Sequence, residues 1–201
     1  MFRPVLIPVV AIMMVAGLHG KELRLGEKIP LADLEMLDVS GQGISLGDVE
    51  GSEGLVVIFS CNTCPWVTAW EGRYVELAGT YKDRGFGFIA VNSNETYREK
   101  GDGYADMQQQ AQDNGYNFNY VVDEKSRLAK AFGATRTPHV FIFNGAGRLV
   151  YRGAIDDNAY EPEKVEKAYT ANALEAILAD RAPEEASTKA IGCSIKAAPE
   201  D

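Results

Sequence analysis

Basic residues are few in this chain and nowhere clustered. Lys and Arg number 20 against 29 Asp and Glu, a formal net charge of −9 at pH 7. Without a cationic stripe, nucleic acid and anionic membrane surfaces are poor partners. Histidine is scarcer still, at two in 201 residues. Cysteine occurs three times, as Cys61, Cys64 and Cys193. A structural zinc site needs four ligands at suitable spacing, and the chain has no second paired motif to complete one. Beyond residue 20 no apolar run approaches the roughly 20 residues a membrane span requires. Internal repeats and low-complexity linkers are also absent, which argues for one folded domain.

The N-terminus has a different composition. Residues 1–20 hold one cation (Arg3), an apolar stretch over 5–18, no acid, and small residues at Ala16, Gly17 and Gly20. That is the plan of a secretory signal peptide, with a cut expected after Gly20. An uncleaved leader would instead anchor the chain to a membrane. No cysteine lies near this end, so lipoprotein attachment is not expected. Removing 1–20 leaves 19 basic against 29 acidic residues, a charge of −10, and His139 as the sole histidine. The expected location is therefore outside the cytosol, periplasmic or extracellular. The remaining chain divides into a domain over 21–182 and a tail over 183–201 that carries Cys193.

What is present centres on Cys61-Asn62-Thr63-Cys64. The preceding run, Leu55-Val56-Val57-Ile58-Phe59, is short, β-branched and aromatic, and reads as a buried strand. Pro65 suits the first turn of a helix, where no amide donor is missed. The pair thus lies where a strand hands over to a helix N-terminus, among unpaired N–H groups and the positive end of the dipole. Such surroundings favour a thiolate, the nucleophile of thiol–disulfide exchange. The helix-start argument assigns Cys61 as the attacking thiol and Cys64 as the resolving one, with the reverse order still open. A structural disulfide across so short a loop would constrain the unfolded chain little.

Alternating patterns follow. Residues 34–37 and 44–46 flank Ser40-Gly41-Gln42-Gly43 as a hairpin. Val67, Trp70, Tyr74, Leu77, Ala78 and Tyr81 recur at helical spacing over about five turns, ending near Gly85. Residues 86–91 form a second buried strand. Asp102 is placed to cap a helix carrying Tyr104, Met107 and Ala111, with Gly115 as its stop. A third strand covers 118–122, and Leu128, Ala129 and Phe132 line a short helix that Gly133 ends. Strands at 140–143 and 149–151 surround the turn Asn144-Gly145-Ala146-Gly147. Val165, Ala168, Ala171, Leu174 and Leu178 form the apolar face of a last helix, with Pro183 just past its end. Alternation of this kind predicts an α/β domain with a mostly parallel sheet.

Over residues 23–180, these features resemble the thioredoxin superfamily. The carriers are the CxxC after the first core strand and Thr137-Pro138 just before the final hairpin. The N-terminal hairpin and the insertion over 92–115 resemble exported, peroxiredoxin-related redoxins, and Gly192-Cys193-Ser194-Ile195-Lys196 is similar to the close of a bacterial redoxin-like subgroup with a CNxCP site. The resemblance implies a thioredoxin-like fold: a central mixed sheet flanked by helices, extended by the N-terminal hairpin. It implies a cis bond before Pro138, whose loop would block metal capture and let Thr137 present its backbone to a substrate strand; the plainer alternative is a simple turn proline. Ser60 and Asn62-Thr63 depart from thioredoxin, which has Trp before the first cysteine and Gly-Pro between the two. No carboxylate lies in 55–60, so the proton route is open, with Glu71 and Asp123 as candidates.

Other residues carry paired readings. Trp66 is either the rim of a docking surface or a core aromatic, while Trp70 belongs to the core stripe. Arg136 either tunes Cys61 and steers acidic partners or is a solvated loop residue. Asn94, Glu95 and Tyr97 lie beyond a strand's C-terminal end, where open sheets bind ligands, or form a plain polar loop. His139 opens a strand. Cys193 is either a third redox thiol or a small buried hydrophobe.

The leading expectation is an exported thiol–disulfide oxidoreductase that exchanges a Cys61–Cys64 disulfide with protein thiols and with a redox partner protein, without a cofactor or a metal. A peroxiredoxin-like peroxidase is the alternative, although the Pro-x-x-x-Thr-x-x-Cys run of such sites is missing before Cys61. A third possibility is a Cu(I)-binding chaperone using Cys61, Cys64 and His139.

Overall fold

The computed structural model describes residues 21–199; the signal peptide expected over 1–20 lies outside them. Seven strands make one sheet: β1 (Met36–Asp38), β2 (Gly43–Ile44), β3 (Gly54–Ser60), β4 (Phe86–Asn92), β5 (Asn119–Val122), β7 (His139–Asn144) and β8 (Leu149–Gly153). A separate two-stranded ribbon joins β6 (Arg136–Thr137) to β9 (Cys193–Ser194). In the large sheet the order is β2-β1-β5-β4-β3-β7-β8. Only β3–β4 and β4–β5 pair in parallel; the other four pairings are antiparallel. The sheet is therefore mixed, not mostly parallel. The final hairpin returns β7 beside β3, and the N-terminal hairpin adds antiparallel strands at the β5 edge.

The strands at the centre are buried on both faces. Every residue of β3 and of β4 is buried. Alternation then sorts their side chains into two cores. Val56, Ile58, Val140 and Ile142 face the layer that contains the dithiol, while Leu55, Val57, Phe59, Phe141 and Phe143 face the other. Phe59, Phe132, Phe141 and Phe143 meet edge-on in that second core, with centroids 5.1–5.8 Å apart. Edge-to-face contact is the favoured packing of aromatic quadrupoles.

Five α-helices complete the layers: α1 (Leu46–Val49), α2 (Pro65–Tyr81), α3 (Tyr104–Asp113), α4 (Arg127–Phe132) and α5 (Tyr169–Leu178). α2 buries Val67, Trp70, Tyr74, Ala78 and Tyr81 of the stripe read from its spacing, and Leu77 is partly buried against the same core. Pro65 stands at its first turn, and a 3₁₀ turn over Lys82–Arg84 closes on Gly85 with φ +93°.

Three local expectations change. Leu46 starts α1 rather than extending β2, because Ser45 and Asp48 form a capping box. The last helix begins at Tyr169, with Ala168 as its N-cap, and Val165 ends a 3₁₀ turn outside it. Gly103, not Asp102, occupies the N-cap of α3, and Asp102 turns inward.

Candidate active site

β3 ends at Ser60 and α2 starts at Pro65, so Cys61–Cys64 forms the whole connection. The helix N-cap is Cys64. This corrects the expectation that Cys61 takes the helix-start position, since Cys61 lies three residues earlier, in the loop. Thr137 stands opposite the pair, and its bond to Pro138 is cis. Thr137 Oγ1 is 3.2 Å from Cys61 Sγ, and Thr137 O is 3.2 Å from Cys64 Sγ. One residue before the cis proline therefore touches both sulfurs.

The surroundings push the two thiol pKa values in opposite directions. Cys61 S–H directed at Cys64 lowers the Cys64 pKa below the ordinary thiol value, with help from Cys193 and the Val67 amide, while burial opposes the shift. The Thr137 carbonyl also opposes it, by accepting from the protonated thiol. Four donors act on the sulfur: the thiols of Cys61 and Cys193 and the amides of Val67 and Cys193. Cys61 moves the other way: its bond to Cys64, its burial and the nearby Asp102 carboxylate hold its proton in place. These shifts favour the thiolate at Cys64, whereas the spacing argument favoured it at Cys61.

Asp102 supports the loop from behind. Its side chain is completely buried, and one oxygen accepts the Asn62 backbone N–H (2.7 Å) and Asn92 Nδ2 (3.0 Å). The other accepts Thr63 Oγ1 (2.8 Å) and Asn94 Nδ2 (2.9 Å). Tyr120 donates its hydroxyl to Asn62 Oδ1 at 2.7 Å, and Arg98 Nη1 binds Asn92 Oδ1 and the Asp102 carbonyl. Four hydrogen bonds to one carboxylate meet the need of a buried charge. Gly101, at φ +104°, lets the chain pass Thr63, whose methyl group would lie 3.0 Å from an added Cβ. Sequence reasoning missed Asp102, Asn62 and Asn92 as site residues. The usable signal was the concentration of Asn and Asp after the β4 strand.

The proton-route candidates separate. Glu71 is raised by burial and is bonded to Tyr116 Oη (3.0 Å) and Gln110, and Tyr116 in turn feels Cys61. Asp123 is committed elsewhere: it accepts the Leu128 and Ala129 amides (2.9 and 3.0 Å) and Ser93 Oγ (2.7 Å). It anchors the start of α4.

The remaining candidates find distinct places. Trp66 is partly buried and packs between Trp70 and the exposed Tyr160, at centroid distances of 5.8 and 5.2 Å. One side lies on the core and the other meets a surface aromatic. Trp70 is core, with Nε1 bonded to Asp156 at 2.8 Å. His139 is buried, stacked on Phe141, and held down to about 4 by burial and by Arg152. Its strand neighbours Val140 and Ile142 face the dithiol core, so the side-chain alternation of β7 turns His139 to the other side. The donors needed for a Cu(I) site of Cys61, Cys64 and His139 do not converge. Arg136 is exposed and bonds Gly192 O and Ser194 Oγ of the tail. Asn94 is buried and joins Asp102 to the tail, accepting Lys196 N at 2.8 Å. Glu95 accepts the Lys125 amide, and Tyr97 stacks beneath Lys100 and Lys196. Cys193 sits opposite Thr137 in the β6–β9 ribbon. Among the described residues no helix is long and apolar enough to cross a membrane.

Known proteins share sequence or fold with this chain. Over 130 residues the chain is 30% identical to the thiol-disulfide oxidoreductase ResA of Halalkalibacterium halodurans, covering 63% of this chain and 66% of that one, just under two thirds of its length. A crystal structure of an uncharacterized conserved protein from Geobacillus kaustophilus matches with a TM-score of 0.82 at 34% identity, over 89% of this chain and 94% of that one. The thioredoxin domain of a thiol-disulfide oxidoreductase from Bacteroides vulgatus shares the fold, with a TM-score of 0.55 at 20% identity over 66% and 90%. The fold is thioredoxin-like. The sequence pattern of the AhpC/TSA family matches residues 25–152, from ahead of the N-terminal hairpin into β8, and the chain belongs to that family.

Proposed function

We propose that this protein is an exported thiol–disulfide oxidoreductase, with residues 21–182 as its catalytic domain and 183–201 as an attached tail. Cys61 and Cys64 form the redox pair. Cys64 supplies the thiolate, Cys61 closes the disulfide, and Thr137 and Pro138 border the approach of the partner sulfur. Trp66 and Tyr160 offer an aromatic edge beside that approach. The substrates are protein thiols or disulfides, and a second redox protein renews the pair. The observation that carries this reading is the juxtaposition of both sulfurs with Thr137, the residue before the cis proline, at 3.2 Å each. The pKa of Cys64 is pushed down by its donors and that of Cys61 up, and a low-pKa thiol is the readier nucleophile of exchange. The ResA relative supports the same chemistry. The composition of residues 1–20 supports export.

A peroxidase would use the same Cys64 thiolate on a peroxide oxygen. Counted back from Cys64, positions −3 and −7 hold Cys61 and Val57 in place of the threonine and proline of peroxiredoxin-like sites. A thiol at −3 captures an oxidised Cys64 as a disulfide, which favours exchange.

Equilibration in glutathione buffers of graded potential, followed by acid quenching and alkylation, tests the reading. A single two-electron transition with Cys61 and Cys64 linked is expected. A value near the roughly −270 mV of thioredoxin marks a reductase, and one near about −120 mV an oxidant. Two independent thiols with no common transition would overturn the proposal.

A further inference from the structure

The tail reaches the dithiol as a third strand of the site. β9 pairs antiparallel with β6, setting Cys193 opposite Thr137 and Ser194 opposite Arg136. Cys193 packs against the core cluster that contains Cys61 and Cys64, and Thr137, its partner in the ribbon, has its carbonyl oxygen 3.2 Å from Cys64 Sγ. The seating is built on both sides of Cys193. Before it, Gly192 has φ +157°, and an added Cβ would meet Thr137 O at 2.0 Å. After it, Ile195 N donates to Thr135 O (3.0 Å), and its side chain packs on the second core. Further on, Thr96 N binds Lys196 O (3.0 Å) and Ala198 N binds Ser126 Oγ (3.0 Å).

This arrangement has a consequence for access. Cys61 and Cys64 are 1% and 2% exposed, whereas Cys193 is only partly buried. A protein thiol arriving from solvent meets Cys193 before it meets either member of the pair. The tail strand lies along the cis-proline edge, where a substrate strand would pair.

We propose that Cys193 is a third redox thiol, which takes the disulfide from the Cys61–Cys64 pair and exchanges it with substrate at the surface. The proposal rests on the oxidoreductase reading above. Starting from the oxidised pair, Cys193 gives up its proton and its sulfur attacks Cys64 Sγ. The Cys64–Cys193 bond forms, the Cys61–Cys64 bond breaks, and Cys61 leaves with the electron pair and takes up a proton. Two electrons pass from Cys193 to Cys61, and no outside oxidant is needed. A substrate thiolate then attacks Cys193, and Cys64 leaves as thiolate. A second substrate thiol attacks the substrate sulfur of the mixed disulfide, forming the substrate disulfide and releasing Cys193. The same steps in reverse carry reducing equivalents outward. The low pKa of Cys64 makes it a good leaving group from the Cys64–Cys193 bond. Burial holds the Cys193 thiol above its ordinary pKa, which keeps it protonated until exchange begins.

The test uses the full chain as wild type, C61S and C61S/C193S, each oxidised with diamide at low protein concentration, alkylated and mapped by mass spectrometry. C61S is expected to stay monomeric and to lose both thiols together, with Cys64 and Cys193 in one linked peptide pair. The double variant keeps its single thiol. If C61S retains two alkylatable thiols or forms only intermolecular dimers, while the wild type links Cys61 to Cys64, the third thiol is overturned and the pair stands. If the wild type fails to link Cys61 to Cys64, the oxidoreductase reading fails as well. Should C61S lose the far-UV circular dichroism of the wild type, partial oxidation of the wild type decides: a Cys64–Cys193 peptide pair upholds the proposal, and its absence sinks it.

Discussion

Two buried aspartates, Asp102 and Asp123, do similar chemistry for different ends. Both side chains are wholly buried near the C-terminal ends of the central strands, and both spend their oxygens on N–H and O–H donors. Asp123 acts mainly locally. It follows β5 directly and binds amides five and six residues ahead, fixing the start of α4. Asp102 acts at a distance, on Asn62 and Thr63, which are 40 and 39 residues away in sequence. The first carboxylate is part of the scaffold. The second fixes the loop in which the chemistry sits, and through Asn94 it links that loop to the tail. Hydrogen-bond chemistry alone does not tell a site residue from a structural one; what the bonded partners do in the molecule decides it.

The contrast breaks or holds under substitution. Asp123→Ala strands two buried amides and a serine hydroxyl, so a stability loss of about 3–5 kcal/mol is expected by urea unfolding. The redox midpoint of the Cys61–Cys64 pair should stay where it was. Asp102→Asn should cost less, about 1–3 kcal/mol, because an amide keeps one acceptor oxygen. Its larger effect falls on the pair. With the negative charge beside Cys61 removed, the Cys61 thiol should titrate lower, read by thiolate absorbance near 240 nm. If Asp123→Ala moved the thiol titration as much as Asp102→Asn does, the two carboxylates would not be separable in this way.

A smaller effect isolates the proton that the pair shares. Cys61→Ala removes the largest cause of the low Cys64 pKa, so the thiolate absorbance of the reduced protein should rise at higher pH than in the wild type. The sign for stability follows from the same shifts. A depressed folded pKa at Cys64 contributes stability that is present above the ordinary thiol value near 8.5 and is lost as pH falls through the folded value. The raised pKa of Cys61 works in reverse, so its contribution is lost as pH rises past that ordinary value. Reduced protein should therefore be most stable near the ordinary thiol pKa, and the oxidised protein should lack this maximum.

The smallest predicted effect lies on the opposite face of the sheet. His139 is held near 4 against an ordinary 6.5, so the unfolded chain binds its proton first as the solution is acidified. Stability is full above 6.5 and declines toward 4. His139→Phe should flatten that decline in thermal melts without moving the redox midpoint.

Much of this was legible along the chain. The strand Gly54–Ser60, the α2 stripe, the Cys61–Cys64 pair and the final hairpin follow from short-range pattern, because burial of a periodic face is a local property of sequence. Thr137-Pro138 came from resemblance, and the cis bond agrees with it. Asp102 was misread for a physical reason: an aspartate two residues before a helix looks like a cap, and only its distant partners show that it is not one. The last helix started late because Val165 and Ala168 continue the apolar spacing through a turn that is not α-helical.

The sequence by itself determined that two thiols one turn apart stand between a buried strand and a helix, in an acidic chain with a leader-like N-terminus. Those are facts of adjacency and composition. The direction in which each thiol pKa is pushed was decided by tertiary structure, since a thiol pKa depends on donors and burial assembled from Val67, Thr137, Asp102 and Cys193. The position of Cys193, 129 residues beyond Cys64, was decided the same way: a two-residue strand acquires meaning only from the edge on which it pairs.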